Sequence, residues 1–163
     1  MKETIKLIFL DIDGVLNSHF FQIKTKDWDT RDKSTQIDPV CVGFLNEIIA
    51  ATSAKIVISS TWRILFYDEI PSVLEKKGFL YSSNIIGKTP KTFFENKRYK
   101  HAQRGMQIQQ WLDENQTWII ESFVILDDSD DMGHLLPRWV RVSSLVGLDR
   151  PTTDKAIAKL TKD

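Results

Sequence analysis

The sequence predicts an α/β fold built on a buried parallel sheet. Three observations carry this. Leu7 to Leu10, Ala54 to Ser60 and Ser122 to Leu126 are short apolar runs, rich in branched residues, that read as strands buried on both faces. Stretches of helical periodicity separate them. Each run also ends in polar residues: Asp11 and Asp13, then Ser59 and Ser60, then Asp127 to Asp131. In open α/β sheets ligands bind at the carboxyl ends of the strands.

The first run opens the stretch LIFLDIDGVLN, Leu7 to Asn17, with Gly14 as its turn residue. In an extended chain residues i and i+2 point to one side, so Asp11 and Asp13 are expected to leave the strand together. Two close carboxylates repel unless a cation or a shared proton lies between them, and a divalent metal is the expectation here. Ser18 to Gln36 is charged and weakly periodic. It holds Phe20, Phe21 and Trp28 among Lys24, Lys26, Arg31 and Lys33, and such a long aperiodic connection is usually a functional loop or disorder.

Asp38-Pro39 then reads as a helix start, with Asp as N-cap and Pro in the first turn. Val42, Leu45, Ile48 and Ile49 form the buried stripe of that helix. The next strand, Ala54 to Ser60, completes a strand–helix–strand unit. Tyr67 to Lys77 reads as a helix that Pro71 disturbs or restarts, with Gly78 as C-cap. Phe79 to Ile86 reads as a short extended piece. Gly87 to His101 is a basic loop with Phe93, Phe94 and Tyr99, a mixture that suits a single-stranded nucleic acid or nucleotide. Gln103 to Asn115 is an amphipathic helix with Met106, Ile108, Trp111 and Leu112 on its apolar side and Arg104 at its start. A cation at a helix amino end is disfavoured, so Arg104 points to an outside partner. After the Asp127 cluster come a short helical piece (Met132 to Leu136) with Pro137 behind it, and a strand (Trp139 to Val142). Last is a turn-then-helix, Gly147 to Leu160, carrying Ala156, Ile157 and Leu160.

Composition narrows the function classes. The 163 residues suit one domain with one core, 1–163. Lysine plus arginine and aspartate plus glutamate number 22 each, so no global basic field advertises nucleic acid. The single cysteine, Cys41, excludes a disulfide framework and a Cys-rich zinc site; it reads as a small buried hydrophobe in a reducing, cytoplasmic setting. No apolar run approaches the ~20 residues of a membrane span, and the amino end does not read as a secretory signal. Neither a membrane nor an obligate protein partner is expected.

With these residues in hand, DIDG after an apolar first strand resembles motif I of the haloacid dehalogenase-like (HAD) superfamily, most of whose members are Mg²⁺-dependent phosphohydrolases. The resemblance spans roughly Ile5 to Val142. It implies a three-layer Rossmann-like parallel sheet with helices on both faces and a small flap or cap, here about 18–36. It implies Asp11 as nucleophile, Asp13 as general acid/base and an aspartyl-phosphate intermediate. Ser59 matches the phosphate-binding hydroxyl of motif II, with Ser60 at the adjoining turn. Arg63 is a further phosphate contact or a surface ion-pair partner, and Gly14 a substrate neighbour. Arg104 matches the basic residue of motif III, with Lys100 as the competing choice. Asp127 matches motif IV, so Asp11, Asp127 and the backbone carbonyl of Asp13 are the expected Mg²⁺ ligands, and Asp128 or Asp131 is the second acid. DIDGVLN, ISSTWR, RGMQIQQWL and ILDDSDD together look like the small HAD domains of bacterial and phage RNA-repair systems, to which polynucleotide 3′-phosphatases are related in kind. The expected substrate is a phosphorylated small molecule or a nucleic-acid end. A phospho-receiver domain and a catalytically silent nucleic-acid-binding module are the competing classes.

Overall fold

The computed structural model describes residues 1–25, 31–95 and 100–162. Its elements are β1 (Thr4–Leu10), α1 (His19–Thr25), α2 (Pro39–Thr52), β2 (Lys55–Ile58), α3 (Trp62–Leu65), α4 (Ile70–Glu75), β3 (Ile85–Lys88), α5 (Gln103–Glu114), β4 (Ile119–Asp127), β5 (Trp139–Arg141) and α6 (Arg150–Thr161). The five strands form one parallel sheet in the order β3-β2-β1-β4-β5.

Alternation along the strands builds the two cores. Ile8, Leu10, Ile56, Ile58, Val124 and Leu126 pack with residues of α2, α4 and α6 on one face. Leu7, Phe9, Val57 and Ile125 pack with Ile108 and Trp111 of α5 on the other. Helices thus cover both faces, as the α/β reading requires. Leu10 pairs with Ile58 on one side and Leu126 on the other. One residue on, Asp11, Ser59 and Asp127 therefore form a row across three strands. They continue the parity of Phe9, Val57 and Ile125, on the face that carries α5.

Local chemistry explains most boundaries. Asp38 caps α2 by accepting from the Val40 N–H at 2.8 Å, with Pro39 in the first turn. Asp149 closes a capping box with Thr152 at the start of α6. Tyr67 to Lys77 is not one helix. A 3-10 turn, Tyr67–Glu69, precedes α4, and Pro71 lies in the first turn of α4, where no backbone donor is needed. Gly78, at φ +91°, ends the segment. The expected extended piece at Phe79 to Ile86 is interrupted by a 3-10 turn, Ser82–Asn84, and the strand starts only at Ile85, so Gly87 and Lys88 belong to β3 and not to the loop. Pro137 lies inside the 3-10 turn Gly133–Arg138 and not behind it.

The segment expected to be an aperiodic flap contains α1, whose start is tied to the loop after β5 by His19 N–H to Ser144 O at 2.9 Å and Phe20 N–H to Leu145 O at 3.0 Å. Lys26 and Trp28 of that segment, and Tyr99 of the basic loop, lie outside the described residues. Cys41 is buried, and burial pushes its thiol up to about 12, so it behaves as a small core residue. Among the described residues no helix is long and apolar enough to cross a membrane.

Candidate active site

The row at the carboxyl edge is the centre of the site. Asp11 and Asp127 are buried, at 4% and 0% exposure. Asp128, exposed at the next position, brings a carboxylate oxygen within 4.8 Å of ligand atoms on both. Gly14 makes this approach possible. Its φ is +76°, and a Cβ there would stand 2.5 Å from Asp128 Oδ2.

Arg104, in the first turn of α5, reaches down into the row. Its Nη1 donates to Ser59 O at 2.6 Å and lies 3.4 Å from Asp11 Oδ1, while Nε lies 3.3 Å from Asp127 Oδ2. These explain a cation at a helix amino end. Asp131 supports it from outside, accepting from the Arg104 backbone N–H at 3.2 Å. Gly105 lets α5 come this close, since a Cβ there would collide with the Met132 carbonyl. Of the two acids proposed as second in the metal site, Asp128 joins the cluster and Asp131 holds the start of α5. Lys100 is exposed in the turn before α5.

Asp13 stands apart from this cluster. The strand ends at Leu10, so strict alternation stops before Asp13, and its carboxylate does not join the other three. It is held instead by two donors the sequence did not single out. Asn17 Nδ2 donates to Oδ1 at 2.8 Å, and the Trp62 indole N–H lies 3.1 and 3.2 Å from its two oxygens.

Three other candidates have different partners from those expected. Arg63 is buried at 4% exposure, and its guanidinium donates to the carbonyls of Ser59, Ser60, Thr89 and Pro90 and to Gln107 Oε1, at 2.9–3.1 Å. All five of its N–H donors are used, which leaves none for a phosphate. It is a clasp tying the ends of β2 and β3 to α5. Ser60 Oγ accepts from the Trp62 N–H at 3.3 Å, in the turn that leads into α3. The Gly14 N–H is taken by Asn17 Oδ1 at 2.9 Å. By contrast, the Ser59 hydroxyl and Asp127 Oδ2 are buried and receive no hydrogen bond among the described residues.

A family model described as the HAD domain in Swiss Army Knife RNA repair proteins matches residues 7–153. The chain belongs to this family. No curated protein and no solved structure gives a significant match. The match spans every residue of the site and all five strands of the HAD domain, save the first residues of β1.

The electrostatics of the HAD domain site are unbalanced toward acid. Burial raises Asp11 above its ordinary value; Arg104 opposes this, and Asp128 and Asp13 add to it. Burial, and then the charge of Asp11, push Asp127 up to about 7. Burial works against the charge on Arg104, but Asp11, Asp127 and Asp131 outweigh it and hold its pKa above the usual value. One guanidinium thus faces two buried carboxylates with a third alongside. A divalent cation with hard oxygen ligands fits this donor set, and Asp127 Oδ2, which among the described residues accepts no hydrogen bond and has only the Arg104 ion pair, is the atom it would satisfy.

Two expected outcomes follow from the packing and the charges. Arg63→Lys keeps the charge but has three donors for five acceptors. It should cost about 3 kcal/mol of stability, read as a lower midpoint in denaturant unfolding. A phosphate ligand would instead show a raised KM with unchanged stability. The second outcome concerns pH. Asp127 rises from 3.8 to about 7 in the fold, so between those values the folded chain binds more protons than the unfolded one. The metal-free protein should therefore lose stability as pH rises from about 4 to about 7. Thermal melts in EDTA would show the fall. Asp127→Asn should flatten it, and Mg²⁺ should restore stability most at high pH, where the ligands are ionised.

Proposed function

We propose that this HAD domain is a Mg²⁺-dependent phosphomonoester hydrolase that works through an aspartyl-phosphate on Asp11, on a nucleotide or nucleic-acid end. The observation that carries the reading is the buried pair Asp11 and Asp127, bridged by Arg104 and completed by Asp128, with one Asp127 oxygen accepting no hydrogen bond among the described residues. Structural burial of two carboxylates without full pairing is costly, and functional sites are where such costs are retained. The family's occurrence in RNA-repair proteins supports the nucleic-acid substrate.

Asp11, Asp127 and Asp128 would hold the metal, with the Asp13 carbonyl as a further ligand. When bound, Mg²⁺ supplies Lewis-acid neutralisation of the phosphoryl oxygens and keeps Asp11 ionised. Arg104 adds positive charge beside Asp11, where the phosphoryl group arrives. The free Ser59 hydroxyl is positioned one strand away to donate to a phosphoryl oxygen. A carboxylate oxygen of Asp11 attacks phosphorus, and the bond from phosphorus to the leaving oxygen breaks. Asp13 gives its proton to that oxygen. The same carboxylate, steered by Trp62 and Asn17, then takes a proton from water. That water attacks phosphorus, the bond to Asp11 breaks, and phosphate leaves.

Phosphate release tests the reading. Wild-type protein is assayed with Mg²⁺ or EDTA on an aryl phosphate, mononucleotides, and oligonucleotides ending in 3′- or 5′-phosphate. Release that requires Mg²⁺ is the expected result. Absence of release from every substrate, in folded protein that binds Mg²⁺, would overturn it and favour a binding module.

A further inference from the structure

Two clefts beside the site join into one groove. The first, of about 390 Å³, is lined by Asp13, Gly14, Asn17, His19, Gln22, Asp128, Ser144 and Leu145. The second, of about 370 Å³, shares Asp128, Ser144 and Leu145 with it and continues over Ser143 to Arg141 at the end of β5. The groove therefore begins at the carboxylate that would protonate the leaving group and ends at an arginine. Its wall is fixed, because the start of α1 is hydrogen-bonded to Ser144 and Leu145.

The charges along it are uneven. The first cleft holds two carboxylates and the neutral donors Gln22, Asn17 and Ser144, with His19 exposed at its rim; among the described residues no lysine or arginine lines it. Leu145, 51% exposed, adds apolar surface. That lining suits an uncharged sugar and base and repels a second phosphate directly attached to the first. At the far end Arg141 is exposed and has no ion-pair or side-chain hydrogen-bond partner among the described residues. Besides Asp128 the second cleft holds one acid among the described residues, Asp149, which is the cap of α6, accepting from the Thr152 N–H at 3.0 Å. Arg141 pairs in register with Asp127, and Asp127 lies beside Asp11 in the row. Two strand spacings, about 10 Å, thus separate Arg141 from the nucleophile.

We propose that this groove binds the nucleotide that leaves, and that Arg141 holds the next backbone phosphate of a nucleic-acid strand. Arg141 is then a specificity residue for phosphate-terminated oligonucleotides over mononucleotides and small phosphomonoesters. The inference rests on the hydrolase reading for its direction, since Asp13 marks the leaving-group side. A planar guanidinium is suited to phosphate, and the polymer's second phosphate is what a mononucleotide lacks.

The test compares a phosphate-terminated trinucleotide with an aryl phosphate, in wild type and Arg141→Gln. The variant should lower kcat/KM for the trinucleotide about tenfold more than for the aryl phosphate, the worth of one charged hydrogen bond. Replacing the link next to the terminal phosphate with a neutral methylphosphonate should impose the same loss on wild type and little further loss on the variant. Equal losses for both substrates, or no loss for the trinucleotide, would overturn the proposal. Strands phosphorylated at the 3′ or the 5′ end show which polarity the groove takes. If wild type releases phosphate from nothing, the hydrolase reading fails and binding decides the groove separately. Fluorescence anisotropy of a labelled oligonucleotide should then show weaker binding by Arg141→Gln, with a salt slope smaller by about 0.7, one phosphate's share on a single strand. Unchanged affinity and slope would overturn the groove itself.

Discussion

Asp11→Asn should lower phosphate release by at least ~10⁴-fold, because in the proposed mechanism it removes the nucleophile and not a supporting group. The substitution is nearly isosteric, so Ser59, Arg104, Asp127 and Asp128 keep their places. The variant should also be more stable than wild type without metal. Asp11 is one of the charges that raise the pKa of Asp127, so removing it relieves Asp127. This gain should be visible in EDTA above about pH 7, where Asp127 is ionised, and should shrink on adding Mg²⁺. A dead enzyme with a raised melting temperature is the signature of a charge cluster held for function against stability. Wild-type turnover by Asp11→Asn would remove Asp11 from the chemistry. A lower metal-free melting temperature would show that the Arg104 contact outweighs the repulsion.

The parallel sheet and its carboxyl edge were legible because they depend on short-range patterns. An apolar run followed by a carboxylate or hydroxyl defines a strand end wherever it falls. Once Asp11, Ser59 and Asp127 follow strands of one sheet, parity alone puts them on one face. Arg104 was legible as an anomaly, a cation where the helix dipole disfavours one. What stayed hidden depends on long-range packing. Arg63 follows two serines at a strand end, and nothing in that pattern tells a phosphate ligand from a buried clasp; the answer lies in Thr89, Pro90 and Gln107, 26 to 44 positions away. Trp62 reads as a core aromatic, and its indole N–H is committed to Asp13 only through the fold. Gly105 reads as a weak point in a helix, yet it is the place where α5 meets the loop carrying Asp131. β3 was misplaced because an edge strand of four residues, Ile85–Lys88, offers only two apolar side chains as a signal. Arg141 carried no motif; its place at the mouth appears only when β5 is set beside β4.

Asp13→Asn should produce a different failure from Asp11→Asn, and the contrast separates the two roles. An amide in place of this carboxyl group supplies no proton to the leaving oxygen and takes none from water. For a substrate whose alcohol is a poor leaving group, both steps slow, and turnover should fall by about 10²–10⁴-fold. An aryl phosphate has a leaving group that departs without protonation. Its first step should survive, while water attack on the aspartyl-phosphate stalls. The expected trace is a burst of about one aryl alcohol per protein, followed by a slow steady rate. Intact mass should show one phosphoryl group retained, and Asp11→Asn should show neither the burst nor the added mass. The Trp62 and Asn17 contacts make this test specific. The introduced amide can still accept from both through its oxygen, so the side chain keeps its position while its acid–base chemistry is lost. A uniform loss on both substrate classes without retained phosphoryl would make Asp13 a structural residue. A stable phosphoryl group on wild-type protein would instead mark a receiver, since such domains hold the phosphoryl group that the proposed mechanism hydrolyses.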